Sequence, residues 1–319
     1  MTAAATRVAS LDLGTNTFRL LIGEDGGGLR RVLVENRITR LGENLAGHGP
    51  LYPPAEGRAL AALAEFRQLM DAHGVELHRA VGTSALRRAS DAADFVARVH
   101  EQTGIKVDII PGLEEARLTT AGVLWSVGDR GQRVAVFDIG GGSTEFNLVR
   151  DGRLAASRSL EMGVVRLTEG YLKSDPPRAG ELSAVRREVA AQLAQVEAMA
   201  RESFGEFQAD ALIATAGTPT TIAAMLLGLD TYDPDRVNGC VLGRADLESL
   251  LGRLVAMPAA ERLSLPGLVK GREDLIVAGI CIVLGAMLSF CTSEVVVSDG
   301  GLLEGILLDL LHGSSQRAV

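Results

Sequence analysis

The chain of 319 residues is long enough for two domains, and its 47% hydrophobic and 23% charged residues are typical of a folded globular protein. Its net charge of -8 argues against a general nucleic-acid binder, which usually carries an excess of basic residues. The three cysteines form no CxxC pair, so the sequence indicates no disulfide framework and favours a reducing cytoplasm.

The first predicted elements are two strands around a glycine turn, in the stretch VASLDLGTNTFRLLIG. An apolar run that reaches Asp12 and Gly14 predicts a strand and a tight turn, and alternating apolar residues predict a second strand. Backbone N–H groups of such a turn can bind an anion, and Thr15, Asn16 and Thr17 add hydrogen-bonding side chains. The turn is therefore predicted to bind phosphate.

The next informative stretch, RAVGTSALRRA, predicts a strand that ends in Gly-Thr and opens a helix. Arg87 and Arg88 fall near that predicted helix start, where the helix dipole disfavours cations. The mismatch favours an anionic partner for one arginine, because a guanidinium suits bidentate contact with phosphate. An exposed arginine is the alternative interpretation. Further along, PGLEEARL places Glu114 and Glu115 in the first turn of a helix, where acids are favourable in any protein.

A second glycine turn follows in VAVFDIGGGSTEFNLV. Its three consecutive glycines let the backbone approach a ligand closely, and two hydroxyl residues add donors. The residues predicted to bind phosphate in this turn are Gly140, Gly141, Gly142, Ser143 and Thr144.

Three acids flank the two turns and would repel a phosphate on their own. Asp12, Asp138 and Glu145 make sense if Mg²⁺ lies beside the phosphate, because Mg²⁺ uses few carboxylates and keeps water and phosphate oxygens as ligands. The alternative is that the two aspartates only cap their turns. Glu145 belongs to a strand and could point to either face.

The remaining predicted elements are mostly helices, at 55–73, 91–102, 178–203, 275–291 and 302–311. The uncharged segment 275–291 falls just short of a membrane span and is predicted to be a buried core helix. No membrane partner is expected.

The order of these elements repeats along the chain. Asp12 falls on Asp138 and Gly14 on Gly140, each 126 positions later, and Gly82-Thr83 resembles Gly217-Thr218. We therefore predict two α/β domains of the same topology, 1–126 and 127–301, with the helix 302–319 packing back on the first. Their glycine turns are expected to face each other across a cleft.

Eight stretches, among them SLDLGTNTFRLLI, IIPGLEEARL, VFDIGGGSTEF and ATAGTPTTIAAM, resemble the exopolyphosphatase and guanosine pentaphosphate phosphohydrolase family. The resemblance implies two duplicated ribonuclease-H-like domains of the actin-like ATPase superfamily. It also implies hydrolysis of terminal phosphate from inorganic polyphosphate with Mg²⁺. Glu115 would be the catalytic base, Arg87 would hold phosphate, and Asp138 and Glu145 would lie on the metal side.

The chain resembles the short members of that family, which lack a further helical region, so processivity on long polymers stays open. Guanosine penta- and tetraphosphate are alternative ligands, and homodimer formation is left open. A kinase of the same superfamily and a non-catalytic binding regulator are the alternative functions. Glu115 beside a complete set of phosphate-binding turns argues against a mere binder.

Overall fold

The structure is a computed structural model that describes residues 6–25, 29–45, 47–205 and 208–317, with side chains described as far as residue 311. The chain divides into two compact units. Unit 1 comprises residues up to Gly122 together with those from Leu302 onward, and unit 2 is Val123–Gly301.

Strands and helices alternate along much of both units, as expected of an α/β protein. The strands are β1 Thr6–Leu13, β2 Thr17–Asp25, β3 Leu29–Ile38, β4 Leu77–Gly82, β5 Val107–Ile109, β6 Arg133–Ile139, β7 Thr144–Arg150, β8 Arg153–Leu160, β9 Ala211–Thr215, β10 Val241–Gly243 and β11 Glu294–Val297. The helices are α1 Pro53–Ala72, α2 Ser84–Arg88, α3 Ala92–Thr103, α4 Gly112–Val127, α5 Val164–Tyr171, α6 Ala179–Phe204, α7 Gly217–Leu226, α8 Pro234–Val237, α9 Arg244–Val255, α10 Ala259–Arg262, α11 Ile276–Ser289 and α12 Leu302–Arg317.

A mixed five-stranded sheet with the order β3-β2-β1-β4-β5 forms the centre of unit 1. Its first three strands are antiparallel neighbours, whereas β4 and β5 run parallel to β1. Phe18, Phe66 and Phe95 are fully buried between the sheet and the helices α1 and α3. Both helices match their predicted positions, because α1 starts at a Pro-Pro pair and α3 ends at Gly104 in the left-handed conformation.

The helix α12 packs on this same sheet. Leu303 and Leu307 contact Val8 and Leu21, on the strands β1 and β2. A Cβ atom added to Gly305 would lie 1.8 Å from the carbonyl oxygen of Leu118 in α4, so only glycine allows the two helices to approach this closely.

Unit 2 contains a six-stranded sheet with the order β10-β11-β9-β6-β7-β8. The strands β6, β7 and β8 are antiparallel neighbours, and β9 and β11 continue the sheet in parallel. This order repeats that of unit 1, with β6 in place of β1, β9 in place of β4 and β11 in place of β5. The predicted duplication is therefore confirmed at the level of strand topology.

The uncharged segment 275–291 forms α11, which is buried among α5, α6, α7 and α9. These surroundings explain why most of the helix is apolar, although Leu288 near its end is 65% exposed. Within the described residues, no helix is both long and apolar enough to cross a membrane.

Candidate active site

The first glycine turn links β1 and β2, with residues 14–16 between Leu13 and the first residue of β2, Thr17. A Cβ atom on Gly14 would lie 2.8 Å from the carbonyl oxygen of Thr17, so the turn requires glycine there. The carbonyl of Asn16 accepts hydrogen bonds from the N–H groups of Thr39 and Arg40, at 3.0 and 2.9 Å. The segment that follows β3 therefore anchors the backbone of this loop at the carbonyl of Asn16.

Asp12 is buried near the end of β1 and lies directly opposite Arg19 in the register. Two nitrogens of Arg19 donate to Oδ2 of Asp12, Nε at 3.0 Å and Nη2 at 2.7 Å. Oδ1 of Asp12 is buried and accepts no hydrogen bond from the described residues. One oxygen therefore has a counter-charge inside the protein, and the other keeps its capacity to accept a hydrogen bond from a ligand or water.

The second glycine turn links β6 and β7 in the same way, with residues 140–143 as the loop between Ile139 and Thr144. The carbonyls of Gly140 and Gly141 accept hydrogen bonds from Val164 and Val165, at 3.0 and 2.9 Å. Both donors belong to the first turn of α5.

The backbone polarity of the two loops is therefore alike. Their carbonyls bond to the rest of the protein, whereas the N–H groups of Thr15, Asn16, Gly141 and Gly142 donate to no acceptor in the described parts of the chain. Loops with engaged carbonyls and available N–H groups favour an anion.

The hydroxyl groups of Ser143 and Thr144, at the end of the second loop, also form hydrogen bonds within the protein. Thr144 is fully buried and its hydroxyl donates to the carbonyl of Met162, so it fixes the start of β7 and is not presented to a ligand. The hydroxyl of Ser143 donates to Oε1 of Glu145 at 2.7 Å. In the first loop, Asn16 donates through Nδ2 to the hydroxyl of Thr17 at 3.3 Å.

Asp138 and Glu145 lie directly opposite each other in the β6–β7 register. Opposed residues of an antiparallel pair share a face of the sheet, and like charges placed there repel each other. Oε1 of Glu145 accepts 2.7 Å hydrogen bonds from Ser143 and Ser159. This pair of carboxylates suits a divalent cation.

No group of three or more His, Cys, Asp or Glu side chains suited to a metal ion occurs among the described residues. Mg²⁺ does not need one, because it commonly binds through one or two carboxylates and fills its other positions with water and phosphate oxygens. The donor set at Asp138 and Glu145 therefore fits Mg²⁺ better than a metal that needs a cage of protein ligands.

Arg87 does not lie at a helix start, as the sequence predicted. The helix α2 has only five residues, and Arg87 and Arg88 are the last two, at the end where the helix dipole favours cations. Arg87 does have an anionic partner, for a different reason. Its Nη1 donates to Oε2 of Glu115 at 2.7 Å and to the carbonyl of Ile110 at 3.0 Å.

Glu115 lies in the first turn of α4, and its side chain is 29% exposed. The structure thus joins the two residues to which the family resemblance assigns different roles, the base and the phosphate-binding arginine. The hydrogen bonds of Arg87 to Glu115 and Ile110 both use Nη1, so the N–H groups on Nε and Nη2 are the ones suited to a phosphate oxygen.

Glu114 points elsewhere and binds Arg117 through two hydrogen bonds, of 2.7 and 2.8 Å. These hydrogen bonds lower the pKa of the Glu114 carboxyl, and burial opposes them only in part. The interpretation of Glu114 as a structural acid agrees with this geometry.

Arg272, which no sequence pattern singled out, lies against the predicted Gly217-Thr218 turn. A Cβ atom on Gly217 would lie 2.1 Å from Nη2 of Arg272, and Nη1 lies 3.4 Å from the hydroxyl of Thr218. Burial lowers the pKa of Arg272, and no carboxylate pairs with it in the described residues. A desolvated guanidinium beside a helix N-terminus favours an anion, but no local signal links it to a turn more than 50 residues earlier.

Comparison with known proteins gives a consistent result. The model of the Ppx/GppA phosphatase family matches residues 21–314. Exopolyphosphatase 2 of Mycobacterium tuberculosis is 36% identical over 321 residues, which covers 96% of this chain and 99% of that protein. Exopolyphosphatase 1 of the same organism is 28% identical and covers 97% of this chain and 89% of that protein.

Solved structures agree with this result. The crystal structure of the Aquifex aeolicus Ppx/GppA family member has a TM-score of 0.87 and 32% identity, over 98% of this chain and 99% of that chain. An exopolyphosphatase from Cytophaga hutchinsonii has a TM-score of 0.82 and 30% identity, over 97% and 98% of the two chains.

Proposed function

This chain belongs to the Ppx/GppA phosphatase family, and on that premise we propose that it is an exopolyphosphatase that releases orthophosphate from the end of inorganic polyphosphate. The observation that carries the proposal is the 2.7 Å hydrogen bond between Arg87 and Glu115. It places a carboxylate able to accept a proton beside a guanidinium able to bind phosphate.

In the proposed mechanism, backbone N–H groups and Arg87 bind oxygens of the terminal phosphoryl group. Glu115 orients a water molecule and accepts its proton as that water attacks phosphorus in line with the leaving oxygen. The polymer leaves one phosphate shorter. Because charge spreads over the phosphoryl oxygens in the transition state, preorganised N–H donors supply much of the acceleration.

We propose that Asp138 and Glu145 hold Mg²⁺, which when bound neutralises negative charge on phosphate oxygens. Their opposed position on β6 and β7 supports this role. Asp12 is the weaker candidate ligand, since Arg19 already neutralises one of its oxygens. Its open Oδ1 suits a hydrogen bond from a water molecule.

The decisive experiment measures orthophosphate release from short polyphosphate, long polyphosphate and guanosine pentaphosphate side by side, with Mg²⁺. The proposal expects release from polyphosphate. Release from guanosine pentaphosphate alone would assign the other family activity, and transfer that depends on ADP would assign a kinase. Binding of polyphosphate without release would assign a regulator.

The substitution Glu115→Gln keeps the size of the side chain and removes the base. We expect kcat to fall by about 10²–10⁴-fold with polyphosphate binding retained, which is the usual contribution of a positioned general base. Glu101→Gln, which alters an exposed acid on α3, is the control. Unchanged turnover in Glu115→Gln would contradict the assignment of the base.

One further expectation concerns location. Cys240, Cys281 and Cys291 are free thiols, which favours a cytoplasmic location.

A further inference from the structure

The two acids at the start of α4 face different parts of unit 1. Consecutive residues of a helix project about 100° apart, so neighbouring side chains have different surroundings. Glu115 contacts Arg87, whereas Glu114 contacts Arg117. Glu114 is a feature of the sequence to which the proposed reaction gives no role.

Glu114 belongs to a cyclic set of four charged side chains, to which Asp108 adds a 3.7 Å contact with Nε of Arg79. Arg117 binds Glu114 and also donates to Oδ1 of Asp309 on α12 at 2.7 Å. Arg79 on β4 donates to Oδ2 of Asp309 at 2.6 Å, and its Nη2 lies 3.8 Å from Oε1 of Glu114. We call Glu114, Arg117, Asp309 and Arg79 the ionic ring, in which acids and arginines alternate.

The ionic ring joins three elements of unit 1 beside a close contact between the helices α12 and α4. Gly305 lies one turn before Asp309 on α12 and touches the backbone of Leu118, which follows Arg117 on α4. The contact at Gly305 sets the distance between the helices. The ionic ring adds directional bonds at the end of α4 that carries Glu115.

The first turn of a helix has no intrahelical partners for its N–H groups and is prone to fray. The N–H groups of Glu114 and Glu115 both donate to the carbonyl of Pro111, at 3.0 and 3.1 Å. A catalytic base in such a turn needs support from outside its own helix, because a displacement of about 1 Å costs about 10²-fold in rate.

We propose that the ionic ring positions Glu115 and that Asp309 is a positioning residue for the reaction, an inference that rests on the proposed function of Glu115. Asp309 contacts neither Glu115 nor Arg87 directly. It acts through Arg117 and Glu114, by holding the first turn of α4 at the orientation in which Glu115 meets Arg87.

The test uses Asp309→Asn in the full chain, which removes the charge at nearly constant size. We expect kcat for polyphosphate to fall about tenfold with KM unchanged within about twofold, because substrate-binding groups stay in place and only the base is displaced. Asp309→Glu, which keeps the charge, should restore most of the loss. Glu114→Gln breaks the ring on the other side and should match Asp309→Asn.

The matched control is Glu65→Gln, which removes an exposed ion pair with Arg37 elsewhere in unit 1. Amide hydrogen exchange of residues 112–118 gives a readout that does not depend on activity, and it should be faster in Asp309→Asn and unchanged in Glu65→Gln. Equal kcat in both variants, or unchanged exchange at 112–118, would overturn the proposal. If the wild-type protein releases no phosphate from polyphosphate, the proposed function fails, while the exchange measurement still decides whether the ionic ring orders the turn.

Discussion

The β1–β2 and β6–β7 hairpins have the same backbone arrangement, but the residue opposite the aspartate is basic in the first and acidic in the second. Their acids, Asp12 and Asp138, are 126 positions apart, and so are the residues opposite them, Arg19 and Glu145. In the first hairpin the acid faces a cation from its own chain, whereas in the second it faces another acid. The difference teaches that the two hairpins share a loop backbone and differ in charge at one cross-strand position, where Arg19 lies opposite Asp12 and Glu145 lies opposite Asp138.

The largest expected effect tests the acid pair of the second hairpin. Asp138→Asn and Glu145→Gln should each lower kcat by about 10²-fold, since each weakens the stabilisation of developing phosphoryl charge. Asp12→Asn should cost less, because Arg19 already compensates that acid. Phosphate release is measured over a titration of Mg²⁺, where more Mg²⁺ should be needed for half-maximal activity of the first two variants.

Glu161→Gln is the control for that series, because Glu161 is an exposed acid of unit 2 that pairs only with Arg166 in the described residues. Equal losses in Asp12→Asn and Asp138→Asn would break the comparison.

The next effect compares the glycines that support the two loops. A Cβ atom on Gly163 would lie 2.2 Å from the carbonyl oxygen of Gly141, against backbone, so Gly163→Ala should destabilise the fold by about 1–3 kcal/mol. A Cβ atom on Gly42 would clash only with the methyl group of Thr15, at 2.4 Å, which can move by rotation of that side chain, and it would lie at ordinary contact distance from the carbonyl oxygen of Thr15, at 3.5 Å. Gly42→Ala should therefore cost less in urea unfolding, and the reverse order would show that the second loop is the more adaptable one.

A smaller effect is expected from the cation of the first hairpin. Arg19→Met leaves the buried Asp12 without its partner and should lower the free energy of unfolding by about 1–2 kcal/mol, less than for a fully buried pair because Arg19 is 38% exposed. Adding Asp12→Asn should recover part of that loss. If the double variant is no more stable to urea than Arg19→Met alone, Arg19 stabilises the hairpin by packing and not through its charge.

The smallest effect on the free energy of unfolding is expected in the ionic ring, because its charges are more exposed than the aspartate of the first hairpin. The folded protein lowers the pKa of Glu114 below its ordinary value of 4.5, chiefly through the hydrogen bonds from Arg117. Its stabilisation is therefore present above that pH and is lost as the pH falls through the folded-state pKa. Glu114→Gln should reduce the free energy of unfolding at pH 7 and converge with the wild type in acid, and Arg117→Leu should give the same pH dependence.

Features set by local sequence could be predicted. Both glycine turns follow from an apolar run, an acid and a glycine, and the repeated spacing gives the shared strand order. The phosphate-binding role predicted for Thr144 came from the turn sequence alone, without the register of the strand that follows. Thr144 begins β7, and its side chain shares the buried face with Phe146, as the two-residue period of a strand requires.

Features set by tertiary contacts could not be predicted. The lengths of short helices are poorly encoded, so Arg87 was placed at the wrong end of α2. The partners of Arg19 and Arg272, and the connection of Asp309 to Glu114, depend on which elements pack together. No spacing in the sequence reveals contacts between residues nearly 200 positions apart.

The position of α12 on the sheet of unit 1 has a consequence for synthesis on the ribosome. Unit 1 is interrupted in the chain, and its last helix, Leu302–Arg317, emerges only after all of unit 2 has been made. Until then the strands β1 and β2 lack the apolar cover of Leu303 and Leu307. We therefore expect the nascent chain to complete its second unit before its first, the reverse of the usual N-terminal-first order.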